Sequence, residues 1–116
     1  MAVRFQLDDI SLGWIAGIIE GEGCITKRTD RKNAIVIQVG MTDEDVLIKL
    51  HQLIPGSILN GPYHSPSRKN HWKPRWNWEL GKREYVKEFL ILIYPLMGNR
   101  RRIKIREALE TLNRGE

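Results

Sequence analysis

Gly13, Gly17 and Gly21 fall on every fourth residue of the segment LGWIAGIIEGEG, with Ala16 beside Gly17. A glycine inside a helix costs about 0.5–1 kcal/mol relative to alanine, so three on one stripe need a compensation. Close backbone packing against another helix supplies it. No second stripe of this kind exists in the chain. The simplest partner is therefore the same helix of a second copy, placed around a two-fold axis through Gly13, Ala16, Gly17, Glu20 and Gly21. The competing reading is a glycine-tolerant helix packed under its own sheet. Asp8 or Ser11 can cap this helix, which should run toward Gly23.

The helix closes on Glu20-Gly21-Glu22-Gly23. Acids are disfavoured at a helix C-terminus, by about 0.3–1 kcal/mol each, because the dipole there favours a cation. No basic residue follows in that last turn. A bound divalent cation reverses the sign, and Mg²⁺ is commonly held by one or two carboxylates with waters and phosphate oxygens. Two such ends meeting in a symmetric dimer would form a site for phosphodiester hydrolysis. The plainer alternative is two exposed carboxylates beside a glycine cap.

Downstream, CITKRTD and AIVIQVGM read as two strands joined by a polar turn at Asp30–Asn33. Thr42 opens a second helix as a capping box, TDED, with Val46, Leu47, Leu50, Leu53 and Ile54 as its apolar stripe. Pro55-Gly56 ends it. SILNG is a short third strand, residues 63–74 a polar loop, and Arg75–Leu80 a fourth strand with Trp76, Trp78 and Leu80 on its apolar face. A third helix covers Lys82–Leu92, with Val86, Phe89, Leu90 and Ile93 inward. A last helix starts near Asn99, with Ile103, Ala108, Leu109 and Leu112 inward. This α-β-β-α-β-β-α-α order predicts an α+β domain over residues 1–116, an antiparallel four-stranded sheet with helices on one face.

With 19 basic against 14 acidic residues the chain carries net +5. Residues 24–42 and 57–83, which hold the strands, together carry +8, and the remainder −3. If helices cover one sheet face, the other should be the positive one, suited to a phosphate backbone. A solvated strand face is the competing explanation. One cysteine, Cys24, excludes a disulfide framework, and His51, His64 and His71 lack metal-ligand spacing. The absence of any apolar run near the ~20 residues of a membrane span, and of a leader-like start, makes an intracellular soluble protein the expectation.

Ile15-Ala16-Gly17-Ile18-Ile19-Glu20-Gly21-Glu22-Gly23 resembles the nine-residue LAGLIDADG motif of homing endonucleases. The element order resembles that family's αββαββα core over nearly the whole chain, and one motif copy is similar to its homodimeric members. The resemblance implies a homodimer whose motif helices pair over the minor groove of double-stranded DNA, cutting both strands of a long near-palindromic site with Mg²⁺ or Mn²⁺. It implies Glu22 as metal ligand, helped by the Gly21 carbonyl, and Glu20 as a capping or bracing residue. It implies a basic residue at the start of a late helix, here Arg100 or Arg102. The sequence departs at Met41, where family sites carry a polar residue, and at Asp45, where they carry a base. Gln38 is the closest polar replacement. These departures keep a second function open: a non-cleaving nucleic-acid binder of the same type, maturase-like or regulatory. A third, a protein-interaction domain with incidental charge, has no motif behind it.

Alternation puts Thr26, Arg28 and Asp30 on one strand face, and Lys32, Ala34, Val36 and Gln38 on that of the next. Asn60, Arg75, Asn77 and Glu79 should extend the surface. Arg, Asn and Gln can pair bidentately with base edges, and Glu can accept from cytosine. Arg68, Lys69 and Lys73, on the loop, suit phosphate contacts. Three arginines at a helix start, Arg100–Arg102, oppose the dipole unless an anion is near; a phosphate is the expected one.

Overall fold

Asp8 starts the first helix as expected: its carboxylate accepts from the Ser11 amide at 2.7 Å, and that bond lowers its pKa. The computed structural model describes residues 4–63 and 74–114. Helix α1 (Asp9–Glu22) is followed by strands β1 (Gly23–Lys27) and β2 (Ile35–Met41), helix α2 (Glu44–Leu53), and strands β3 (Ile58–Tyr63) and β4 (Arg75–Leu80). Helix α3 (Arg83–Ile93), a 3-10 turn at Tyr94–Leu96 and helix α4 (Asn99–Arg114) complete the described chain. The four strands form one antiparallel sheet in the order β1-β2-β4-β3. The expected α+β architecture is the one found.

Register fixes the two faces. Thr26 pairs with Val36, Cys24 with Gln38, Gln38 with Glu79, and Gly40 with Asn77, which in turn pairs with Asn60. Because side chains alternate along a strand, these residues share the open face. Ile25, Ile35, Ile37, Val39, Trp78 and Leu80 point the other way and are buried. There they join Ile15 and Ile19 of α1, Leu47 and Leu50 of α2, Val86, Phe89, Leu90 and Ile93 of α3, and Ile105, Ala108 and Leu112 of α4 in one apolar core. Trp76 packs partly buried against it and Trp78 is fully inside, so both tryptophans serve the core, as alternation predicts.

The structure corrects four details. The Thr42 box is not formed: α2 begins at Glu44 with Asp43 as its cap residue, and Asp43 makes no side-chain capping bond. Strand β1 stops at Lys27, and the Arg28 amide donates to the Ala34 carbonyl at 2.9 Å, closing the turn there. Lys32 therefore belongs to the turn, where strand alternation does not apply; it lines a hollow with Gly81, Arg83 and Leu112 instead of joining the row of Gln38. On α4 the inward apolar residue is Ile105, while Ile103 is 50% exposed. Positions 105, 108 and 112 fall on one side by helical period, Ile103 falls on the other, and Arg101, which docks on α1, shares the inward side. The N-terminal segment also contributes more than sequence suggests. Phe5 is buried edge-on against Tyr85 and Phe89, and the amides of Arg4 and Phe5 donate to the Glu88 carboxylate.

Candidate functional site

The C-terminal end of α1 meets the N-terminal end of α4. The Glu20 carboxylate accepts from the Gly98 amide at 2.6 Å, just ahead of Asn99, where α4 begins. Its other oxygen lies 3.6 Å from Arg101 Nε. Arg101 Nη2 donates in return to the Glu20 carbonyl at 3.3 Å. Each partner answers the other's dipole: the carboxylate sits at a positive helix start and the guanidinium at a negative helix end. Sequence leaves both ends anomalous, acids without a base and bases without an anion, because the compensating charge lies 81 residues away along the chain.

This resolves the arginine triplet. Arg101 is taken by Glu20. Arg102 donates to the Pro95 carbonyl at 2.9 Å and lies over the Tyr94 ring, so it is not free for a phosphate. Arg100 is exposed, and lines an open hollow of about 490 Å³ with Gly23, Cys24, Thr26 and Lys104. Of the two candidates, Arg100 is the one standing beside the motif end with no hydrogen bond or ion pair among the described residues. Arg101, the bracing member, was the residue sequence reasoning passed over; its signal was the pairing of two helix ends whose charges were each of the wrong sign.

Glu22 and Gly21 are both exposed. Gly23 follows at a close approach: a Cβ there would stand 2.7 Å from the Ile19 carbonyl oxygen, so the chain can leave α1 directly into β1 only with glycine at this point. Glu22 is thus held at the junction of helix and sheet, and no hydrogen bond or ion pair engages it among the described residues. No group of three or more His, Cys, Asp or Glu side chains that could hold a metal occurs among the described residues. One chain offers a single free carboxylate with the neighbouring Gly21 carbonyl. That hard-oxygen pair fits a Mg²⁺-class cation whose remaining ligands are waters and phosphate; it does not make a self-sufficient cage.

The glycine stripe lies outside. Gly13, Gly17 and Gly21 are exposed, and a Cβ added at any of them would meet nothing within 4 Å. Ile10, on the same side of α1, is 86% exposed. Helix α1 packs under its own sheet through Ile15, Ala16 and Ile19, and the glycine stripe takes no part in that packing. Ala16 is corrected as an interface residue: it is buried in the core of its own chain, about 100° round the helix from Gly17. Glu20 braces within the chain, against α4.

Most of the expected reading residues share the open face: Thr26, Gln38, Asn60, Arg75, Asn77 and Glu79. Arg28 reaches toward it from the turn. Arg68, Lys69 and Lys73 lie outside the described residues. The charge distribution differs from expectation. On the face itself the described charged residues are Arg28 and Arg75 against Asp30 and Glu79. Lys32 and Arg31 sit in the turn, Lys82 and Arg83 at the start of α3, and Lys27 on the side facing α4. Among the described residues, the surplus of basic residues in the strand segments is thus carried around the sheet, and its centre is mixed. Arg28 makes a bidentate ion pair with Asp30, at 2.9 and 2.8 Å, which holds the Asp30 carboxyl down at about 2. Gln38 Nε2 donates to Glu79 Oε2 at 3.3 Å; its amide is turned to Glu79, although Cys24 beside it is only two residues beyond Glu22.

The fold is that of the LAGLIDADG homing endonucleases. The crystal structure of the homing endonuclease I-TnaI superposes with a TM-score of 0.63 at 19% identity, covering 93% of this chain and 77% of that one. The group I intron-encoded homing endonuclease I-CeuI, complexed with DNA, gives 0.66 at 14% identity, covering 96% and 57%. I-CvuI, bound to the I-CreI target in the presence of Mg with the DNA not cleaved, gives 0.59 at 15% identity over 90% of this chain. The chain spans 64% of the length of I-CvuI. No protein-family model matches the sequence, and no curated protein does.

Proposed function

We propose that this chain is a homodimeric, metal-dependent endonuclease that cuts both strands of a long, near-palindromic DNA site. The observation that carries the proposal is Glu22. It is an unengaged carboxylate at the exposed end of the motif helix, beside an open sheet face, in a fold whose solved examples include proteins complexed with DNA. In this reading the glycine stripe of α1 pairs with its copy, and the two Glu22 side chains converge with the Gly21 carbonyls. Glu22 and the Gly21 carbonyl would hold Mg²⁺ or Mn²⁺, which when bound would supply Lewis-acid chemistry toward a phosphodiester. Arg100 stabilises charge developing on the phosphate, and Glu20 with Arg101 keeps the helix ends in register. The sheet reads bases through the major groove, and its strands of five to seven residues each span about five to seven base pairs.

Met41 and Asp45 favour a second reading, a binder that does not cut. Met41 packs against the core and Asp45 is exposed, so neither supplies the polar or basic group that the motif's relatives carry there. Glu22→Gln separates the two. Cleavage of a selected target in Mg²⁺ should vanish in the variant while its binding in Ca²⁺ persists. A wild-type protein that binds its target tightly and never nicks it would select the second reading. Cleavage by Glu22→Gln at the wild-type rate would remove Glu22 from the metal site.

A further inference from the structure

The two central strands carry a cross-strand pair whose chemistry points to a particular class of base. Gln38 of β2 and Glu79 of β4 are register partners, both half-buried on the open face. The Gln38 amide donates to Glu79, and the opposite amide orientation would set two oxygens against each other. The Gln38 carbonyl oxygen is therefore left outward, beside the carboxylate. Together they present acceptors and no free donor except the second amide hydrogen. Arg28 lies within electrostatic reach of Glu79, but its guanidinium is bidentate on Asp30 and makes no hydrogen bond to Glu79 among the described residues.

An acceptor cluster in the middle of the face is the wrong equipment for a phosphate backbone. It suits a base edge with an exocyclic amine: cytosine N4 or adenine N6 in the major groove. Guanine O6 and N7, or thymine O4, would face it with like partial charge. We infer that the Gln38–Glu79 pair is a specificity determinant, requiring an amine-bearing base, cytosine or adenine, in place of guanine or thymine, on one defined strand at one position of each half-site. The inference rests on the DNA-reading function proposed above and adds to it the identity of a preferred base class.

The test is a binding selection on a randomised duplex DNA library in Ca²⁺, run in parallel on the wild type, Gln38→Ala, Glu79→Gln and Glu79→Lys. The wild type should enrich a site in which one symmetric position carries cytosine or adenine, and excludes guanine and thymine, on the same strand of each half-site. Gln38→Ala and Glu79→Gln should relax that position alone, by about five- to a hundredfold in relative preference. Glu79→Lys, which replaces the acceptor by a donor, should convert the preference there to guanine, a change that misfolding cannot mimic. If the wild type enriches a site and all three variants enrich the same site unchanged, the pair is not a reader, and the endonuclease reading is untouched. If the wild type enriches no sequence, the DNA-reading function fails and the inference falls with it.

Discussion

Asp30 shows how a single side chain can be misjudged from its position. Alternation assigns it to the reading face, and it does lie near that face, but as the anchor of Arg28. Its carboxyl is held at about 2 against an ordinary 3.8, first by the hydrogen bond from Arg28. A depressed folded-state pKa means that the pair's contribution is complete above the unfolded value and is lost as pH falls from 3.8 toward 2. An NMR titration of the Asp30 carboxyl should therefore show a midpoint near 2, and Arg28→Ala should return it toward 3.8. An Asp30 midpoint near 3.8 in the wild type would mean the pair does not persist in solution. At this scale the sequence made the residues of the open face readable, because strand period places them. It did not show which of them engage one another, since Gln38 and Glu79 are 41 residues apart.

Among the elements, the order of helices and strands was legible throughout, because hydrophobic period and turn residues mark each one. What escaped was phase and junction. Ile105 lies on the same side of α4 as Ala108, Leu109 and Leu112, and Ile103 on the opposite side, so the period of the helix itself selects Ile105 for the core. The docking of Arg101 on Glu20 falls on that same side. That docking makes a prediction for the α1–α4 junction. Glu20→Ala removes a charged acceptor from the start of α4, a change comparable to losing an N-cap, about 1 kcal/mol. Urea unfolding should move to a lower midpoint by that amount with an unchanged slope. An unaltered midpoint would show that water replaces the carboxylate without loss. The candidate site was half-legible for the same reason: Glu22 stands in a contiguous motif, whereas the choice among Arg100, Arg101 and Arg102 depends on contacts from Glu20, Pro95 and Tyr94.

For the molecule as a whole, the net charge was readable and its placement was not. Among the described residues, the basic surplus of the strand segments lies in their turns and flanks, where side chains are unconstrained by the sheet's period. Assembly is the open quantity at this scale, and the bare face of α1 gives it a sharp test. Gly17 has nothing within 4 Å of a Cβ, so the isolated chain should tolerate Gly17→Ala and gain up to about 1 kcal/mol in helix propensity. Gly17→Leu should fold equally well yet sediment as a monomer where the wild type sediments as a dimer. A leucine variant that stays dimeric would place the interface elsewhere.

The register of the sheet also has a consequence for how such a chain can diverge. Along β2 and β4, positions that hold the core (Ile37, Val39, Trp78, Leu80) alternate with positions that face outward (Gln38, Gly40, Asn77, Glu79). Substitutions at the second set leave the packing of the first nearly untouched, apart from Val36, which is covered on the open side. Under the proposed DNA-reading function, target preference and folding would be written on separate, interleaved letters of the same strands. A lineage carrying this scaffold would then drift from one DNA sequence to another through intermediates that all remain folded.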